Sequence, residues 1–371
     1  MVERYTKRQF DLVSDCKMNS DVVFETREHL GIVRLNRPKA LNALTLPMVR
    51  AIQKQLNQWE KNNEILSVAL VGEGDKAFCA GGDVKGLYDS GLGDGVLAAD
   101  FFREEYELDY RLATFPKIVV AIIDGVTMGG GVGLSLHGRV RIATERTVFA
   151  MPETSIGLFP DVGASHFLSR LPGGIGLFLG LTGQRLKALD CLNTGVATHF
   201  LPSSQIDRLL DKLASCRQPL DLIEDLIVVE VCDQASALKD NRSCIDEIFS
   251  LLTMEEIISA LQEEDSDWSR KTLTKLNTYS PTSLKITCTQ LERAKSLSLA
   301  EVFKMEYRIS QACMKEHDFF EGVRALLIDR DKKPKWNPEK LEKVDEALVL
   351  SHFTALDTNE LILKESFSTQ L

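Results

Sequence analysis

The most constraining feature of the chain is a pair of glycine-rich loops, each placed just after a run of residues that reads as a buried strand. The first, Ala77-Phe78-Cys79-Ala80-Gly81-Gly82-Asp83, follows Val68-Ala69-Leu70-Val71-Gly72. The second, Asp124-Gly125-Val126-Thr127-Met128-Gly129-Gly130-Gly131-Val132-Gly133, follows Ile118-Val119-Val120-Ala121-Ile122. Short apolar runs that end in glycine predict buried strands, followed by loops placed where such folds bind ligands. Glycine permits dihedrals and close approaches closed to other residues, so two such loops can aim two backbone N–H groups at one oxygen. Neither loop reads as a phosphate cradle: G-x-x-x-x-G-K-[ST] is absent, and the run from Gly129 is not G-x-G-x-x-G. Tight turns and close helix packing are the bland alternative for either loop taken alone.

Around these loops the pattern is that of an α/β protein. Val22–Phe24 and Gly31–Leu35 predict a hairpin, stopped by Asn36-Arg37-Pro38, and Met48, Ile52, Leu56 and Trp59 predict a helix over 47–59. Shorter strands are expected at 140–143 and 148–150. Beyond about residue 205 the chain turns helical, with capping boxes at Thr253/Glu256 and Ser298/Glu301. The expected division is a tail over 1–20, a core over 21–205 and a mainly helical region over 206–371.

Composition narrows the partners. The formal net charge of -10, from 54 acidic and 44 basic residues, argues against nucleic acid, which needs a basic face. The longest apolar runs, such as 118–123, are too short to span a bilayer, so no membrane partner is expected. The eight cysteines form no C-x-x-C pair and read as buried reduced thiols. The six histidines show no metal-ligand spacing, so no metal site is expected. The first twenty residues lack a secretory apolar centre, and their acidic residues weaken a mitochondrial presequence. A cytosol-like compartment is the default expectation, mitochondrial in a eukaryote.

Three motifs then fall in a telling order. Asn36-Arg37-Pro38-Lys39-Ala40-Leu41-Asn42-Ala43, the first glycine loop and Met128-Gly129-Gly130-Gly131 resemble the crotonase (enoyl-CoA hydratase/isomerase) superfamily in order and approximate spacing. The resemblance covers about residues 22 to 340. It implies a spiral of ββα units with a helical C-terminal region. It also implies an oxyanion hole for a CoA thioester, with donors at the Gly82 and Gly130 N–H groups. Lys39, Ala40, Leu41, Phe78, Ala80, Gly81, Asp83, Val84 and Gly129 would then border the acyl-CoA. CoA enters as part of the substrate and no cofactor is implied. Relatives form trimers and hexamers, so a homo-oligomer is one expectation, but the divergent C-terminal half leaves the oligomeric state of this chain open.

Side chains must separate the reactions that share such a hole. Hydratases of the superfamily use two glutamates, and at the first of these positions this chain has Gly133. The second is filled by Glu153 in Met151-Pro152-Glu153-Thr154-Ser155-Ile156-Gly157-Leu158-Phe159-Pro160-Asp161. Glu153 with Asp161 resembles the subgroup that hydrolyses hydroxyisobutyryl-CoA, as do Phe101–Tyr106 and Ser280–Leu284; Asp318–Ala325 is common to the superfamily. Thioester hydrolysis needs an activated oxygen, which Glu153 can supply as general base or nucleophile, while Asp161 orients the substrate or water and protonates the thiolate. The expectation is hydrolysis of a short branched 3-hydroxyacyl-CoA. Hydratase or isomerase chemistry is one alternative, and a non-catalytic member of a larger assembly is the other.

Other candidates weigh less. Cys79 has no basic partner in sequence and reads as a structural thiol. Ser135 and His137 lack G-x-S-x-G and read as parts of a packed helix. Glu104 and Glu105 read first as solvated helix charges, although the resemblance makes one of them, or Tyr106, a neighbour of the acyl pocket. Lys332, Lys333 and Lys335 read as a solvated turn, with attraction of CoA phosphates as the minority alternative.

Overall fold

The computed structural model describes residues 21–224, 236 and 238–363. The expected tail, Cys16 and Cys232 lie outside them.

The hairpin forms from β1 (Val22–Arg27) and β2 (Leu30–Leu35), paired antiparallel. Gly31 leaves room for Trp59: a methyl there would meet the indole at 2.7 Å. Trp59 closes helix α1 (Leu46–Lys61), whose stripe Met48, Val49, Ile52 and Leu56 is buried, and its indole N–H donates to Thr26 Oγ1 at 3.2 Å. The remaining strands are β3 (Ser67–Gly72), β4 (Ala77–Cys79), β5 (Ile118–Ile123), β6 (Val126–Met128), β7 (Val140–Ala143), β8 (Val148–Ala150) and β9 (His199–Phe200).

They sort into two sheets. One has the order β1-β2-β3-β5-β7-β9, parallel beyond the hairpin, and the other β4-β6-β8, also parallel. The chain therefore alternates between sheets, and each β–β step is followed by a return segment. Those segments include α2 (Val84–Gly91), α3 (Val96–Ala113) and α4 (Gly130–Leu136). This is the ββα spiral implied by the resemblance.

Side-chain alternation along the strands buries both faces of the larger sheet. Ile32, Ala69, Val71, Val120, Ile122 and Ile142 form an outer layer covered by Leu209, Leu210 and Leu213 of the helix Ile206–Ser215. Val33, Leu70, Ala121 and Ile123 face inward to the main core, which reaches into the C-terminal helices through Phe303, Ile309 and Phe319. Both predicted capping boxes are present, at Thr253/Glu256 and Ser298/Glu301. Among the described cysteines, Cys79, Cys191, Cys288 and Cys313 are buried, whereas Cys216 and Cys244 are half-exposed, which corrects the expectation that all are buried.

Candidate active site

The two glycine loops meet. Leu44 N–H donates to Gly81 O at 2.8 Å and Asp83 N–H donates to Leu44 O at 2.7 Å, so the loop after Pro38 runs beside the first glycine loop. Asn42 secures this pairing: buried and left-handed at φ 56°, its Nδ2 donates to Glu73 O and Ala77 O at 3.0 and 2.8 Å. Arg37 donates to Ala43 O at 2.7 Å and to Asp83 Oδ2 at 3.1 Å. Gly81 at φ 116° and Gly129 at φ 47° adopt conformations that favour glycine.

The expected donors converge. A methyl at Gly130 would lie 3.3 Å from Gly82 N, and one at Gly81 would lie 3.7 Å from Gly130 N. Gly130 begins α4, so its N–H is one of the orphans of a helix start. Among the described residues neither N–H is given to a protein acceptor, so both are available to one external oxygen.

Acids crowd this point. Glu153 opens the single turn Glu153–Ile156, is buried, and brings Oε1 within 3.2 Å of where a methyl at Gly129 would sit. Its Oε2 has no hydrogen-bond partner. Burial pushes the Glu153 carboxyl well above the usual carboxylate range, and the Asp161 charge pushes it further. Asp161 is raised by burial to about 7, against the pull of the Tyr106 hydroxyl, which donates to Oδ2 at 2.9 Å. Each carboxylate disfavours ionisation of the other, so at neutral pH the pair shares a proton.

Two further carboxyls come from α3. Glu104 and Glu105 part company: Glu104 faces outward to Arg50, at 2.6 Å, whereas Glu105 is buried. The solvated reading is therefore corrected for Glu105. Its Oε1 occupies the space a side chain at Gly130 would need. Asp109, four residues on and thus on the same helix face, occupies the space beside Gly133 with Oδ2. Glu105 Oε1 and both Asp109 oxygens lack partners, and burial holds both acids far toward the neutral form.

The loop carrying Asp161 is braced from distant helices. Gln290, on the helix Pro281–Ala294, donates to Pro160 O at 2.7 Å. Glu306, on the helix Leu299–Cys313, accepts from Gly163 N–H at 2.6 Å and Ser165 N–H at 3.1 Å and also bonds the Ser165 hydroxyl. Burial lifts Glu306 to about 8. The turn bearing Glu153 is clamped similarly: Ser280 N–H donates to Thr154 O at 3.4 Å, and a methyl at Gly322 would clash with Ile156. The Ser280–Leu284 and Asp318–Ala325 stretches thus act as a clamp, joined by Ser280 Oγ donating to Asp318 Oδ2 at 2.6 Å.

The other expected residues are distributed unevenly. Gly81, Gly82, Gly129, Gly130, Glu153 and Asp161 come together. Ala80 is tied to Leu41 by its N–H, at 3.0 Å, while Lys39, Ala40 and Leu41 are exposed at the rim. Val84 starts α2, half-buried. Phe78 is packed in the core, so only its backbone can border a ligand. Asp83 is committed to Arg37 and to capping α2, accepting from Gly86 N–H at 3.3 Å. Cys79 is buried and pushed to about 12, which agrees with a structural thiol. Ser135 Oγ donates back to Gly131 O at 2.8 Å, and His137 points instead at Val162 O. Lys332, Lys333 and Lys335 are exposed. Asp109, Gln290 and Glu306 were not singled out from sequence. Their signal was a carboxyl or amide on an apolar stripe, as with Glu306 between Val302, Phe303 and Ile309.

A family model described as enoyl-CoA hydratase/isomerase matches residues 30–353. A curated relative from Danio rerio named 3-hydroxyisobutyryl-CoA hydrolase, mitochondrial, is 48% identical over 94% of this chain and 93% of its own length. The Homo sapiens relative of the same name is 46% identical over 92% of this chain and 90% of its own. By structure, the chain is similar to a protein described as a carnitinyl-CoA dehydratase from Mycobacterium thermoresistibile. The two share a TM-score of 0.88 and 38% identity, over 94% of this chain and all (100%) of that one.

Proposed function

The chain belongs to the enoyl-CoA hydratase/isomerase family, and from that premise we infer that it hydrolyses 3-hydroxyisobutyryl-CoA to 3-hydroxyisobutyrate and free CoA, a step of valine breakdown. The observation that carries the chemistry is the Glu153–Asp161 pair set beside two convergent, unused N–H groups.

In this reading the thioester carbonyl oxygen accepts from Gly82 and Gly130 N–H, which stabilise the charge that grows on it as the carbon becomes tetrahedral. Glu153 supplies the attack. As a carboxylate it takes the proton of a water that adds to the carbonyl carbon, or it adds directly and water opens the resulting anhydride. Collapse breaks the C–S bond, and Asp161 gives its proton to the departing sulfur. One proton on the pair is the working state, since one acid must be ionised and the other protonated. CoA is part of the substrate, and every role falls to a protein group. The word mitochondrial in the relatives' names favours the eukaryotic alternative for compartment.

Hydration is the second reading, favoured by one observation: Asp109 delivers a carboxyl to the space beside Gly133. Both reactions are followed together, as thiol release from 3-hydroxyisobutyryl-CoA and hydration of crotonyl-CoA. Thiol release with little hydration is expected, and Glu153→Gln abolishes it while leaving CoA-thioester binding nearly intact. Hydration without thiol release overturns the hydrolase, and a Glu153→Gln enzyme near full activity removes Glu153 from the chemistry.

A further inference from the structure

Helix α4 has two functional ends. Its first residue is Gly130, and its carboxyl end is capped by His137, whose Nε2 lies 2.7 Å from Val162 O. Val162 directly follows Asp161 and sits in the left-handed region at φ 57°, a conformation that β-branched residues rarely take. Such a backbone persists only where its surroundings over-determine it, and it is a reason to look for function. A carbonyl can only accept, so His137 donates from Nε2, and burial keeps the ring neutral by lowering its pKa to about 4. The ring is itself fixed, edge-on to Phe303 at 5.5 Å between centroids. No slack remains beside it: a methyl at Gly163 would meet Nε2 at 2.6 Å and Phe303 Cζ at 2.7 Å.

We propose that His137 is a positioning residue for Asp161, holding Val162 in its left-handed conformation and tying the Asp161 loop to the helix that begins at Gly130. At about 1.5 Å per residue, α4 then sets a separation of roughly 10 Å between the Gly130 donor and this anchor. The short helix becomes the ruler between the oxyanion hole and the acid. Tyr106 orients the Asp161 carboxyl, and His137 orients the backbone that carries it. The inference rests on the reading of Asp161 as a working acid.

The test compares His137→Phe, which keeps a ring against Phe303 without a donor, with His137→Gln, which restores an N–H. His137→Phe is expected to lower kcat for thiol release by about 10- to 100-fold, as a misplaced group does, with KM within about twofold; His137→Gln recovers most of the loss. In an Asp161→Asn background His137→Phe costs nothing more, because the effect runs through Asp161. If His137→Phe does not fold, His137→Met takes its place. Wild-type kcat in the donorless variant, equal losses in both backgrounds, or a Gln variant no better than Phe each overturns the proposal. Asp161→Asn alone separates the two ideas. A fully active Asp161→Asn enzyme sinks the reading of Asp161, whereas an inactive one beside a fully active His137→Phe enzyme sinks only the role of His137.

Discussion

The two halves of the proposed site, the N–H pair and the acid pair, are built by different physics. Gly82 and Gly130 present backbone N–H groups, and what positions them is the absence of side chains together with the pairing of Leu44 with the first loop. Glu153 and Asp161 are side chains on turns, and what positions them is a set of buried polar groups contributed from far along the chain: Tyr106, His137, Gln290 and Glu306. The first half tolerates little added volume, whereas the second tolerates little loss of a hydrogen bond. Substitutions should therefore fail differently in the two halves.

After the loss of turnover in Glu153→Gln, the largest effect is expected at Asp161. Asp161→Asn should lower kcat for thiol release by roughly 10²–10⁴, the usual range for a general acid or base. The variant also carries a pH signature. The Asp161 charge helps hold Glu153 above its ordinary range, so its removal lowers the Glu153 pKa and moves the acid limb of the rate profile to lower pH. A pH–rate profile with an unmoved limb would mean that the two acids do not communicate. In the other half, Gly130→Ala should cost roughly 10²–10³ in kcat, comparable to losing one oxyanion donor. Its methyl would overlap Glu105 Oε1 and stand 3.3 Å from Gly82 N. A fully active alanine variant would show that the loops do not hold the carbonyl.

The same division explains what could be read from sequence. The glycine loops were legible because each is a short contiguous motif, whereas Glu153 and Asp161 were singled out by the family resemblance that the loops carry. The strands and capping boxes were legible for the same reason, since periodicity and caps are set within a few residues. The braces were not. Glu306 reaches Gly163 across 143 positions and Gln290 reaches Pro160 across 130, separations no local pattern reports. Glu105 was misread because adjacent Glu104 and Glu105 carry the same charge but differ by about 100° around the helix, one toward Arg50 and the other into the core. His137 was correctly separated from a Ser135 triad, yet its partner Val162 O is a backbone atom, invisible to motif reading.

A smaller effect follows for the brace. Glu306→Gln places an amide NH2 where both oxygens face donors, Gly163 N–H and Ser165 N–H. One buried donor must lose its partner, at a cost of about 1–3 kcal/mol. We expect a lower melting temperature and roughly a tenfold loss of kcat with KM nearly unchanged. Lost stability with wild-type kcat would make Glu306 a fold element that does not align Asp161.

The smallest expected effect runs in the stabilising direction and concerns Asp109, a buried carboxyl with two unpartnered oxygens. Burial, then the charges of Glu105 and Asp161, raises its folded pKa well above the unfolded value near 4. Below that unfolded value the group is protonated in both states and costs nothing as an ion. As pH rises the unfolded chain releases the proton while the folded chain retains it, so stability falls until the folded pKa is passed. Asn at this position is neutral throughout. Asp109→Asn should therefore match the wild type near pH 4 and melt about 1–3 °C higher near pH 8, by the usual scaling of melting temperature with stability for chains of this size. Thermal melts across pH read the difference directly. A gap that does not change with pH would mean that Asp109 ionises as readily in the folded state as in the unfolded one, and the contrast between sterically built and electrostatically built halves would then need a stabilising partner at the Asp109 carboxyl, whose two oxygens have none among the described residues.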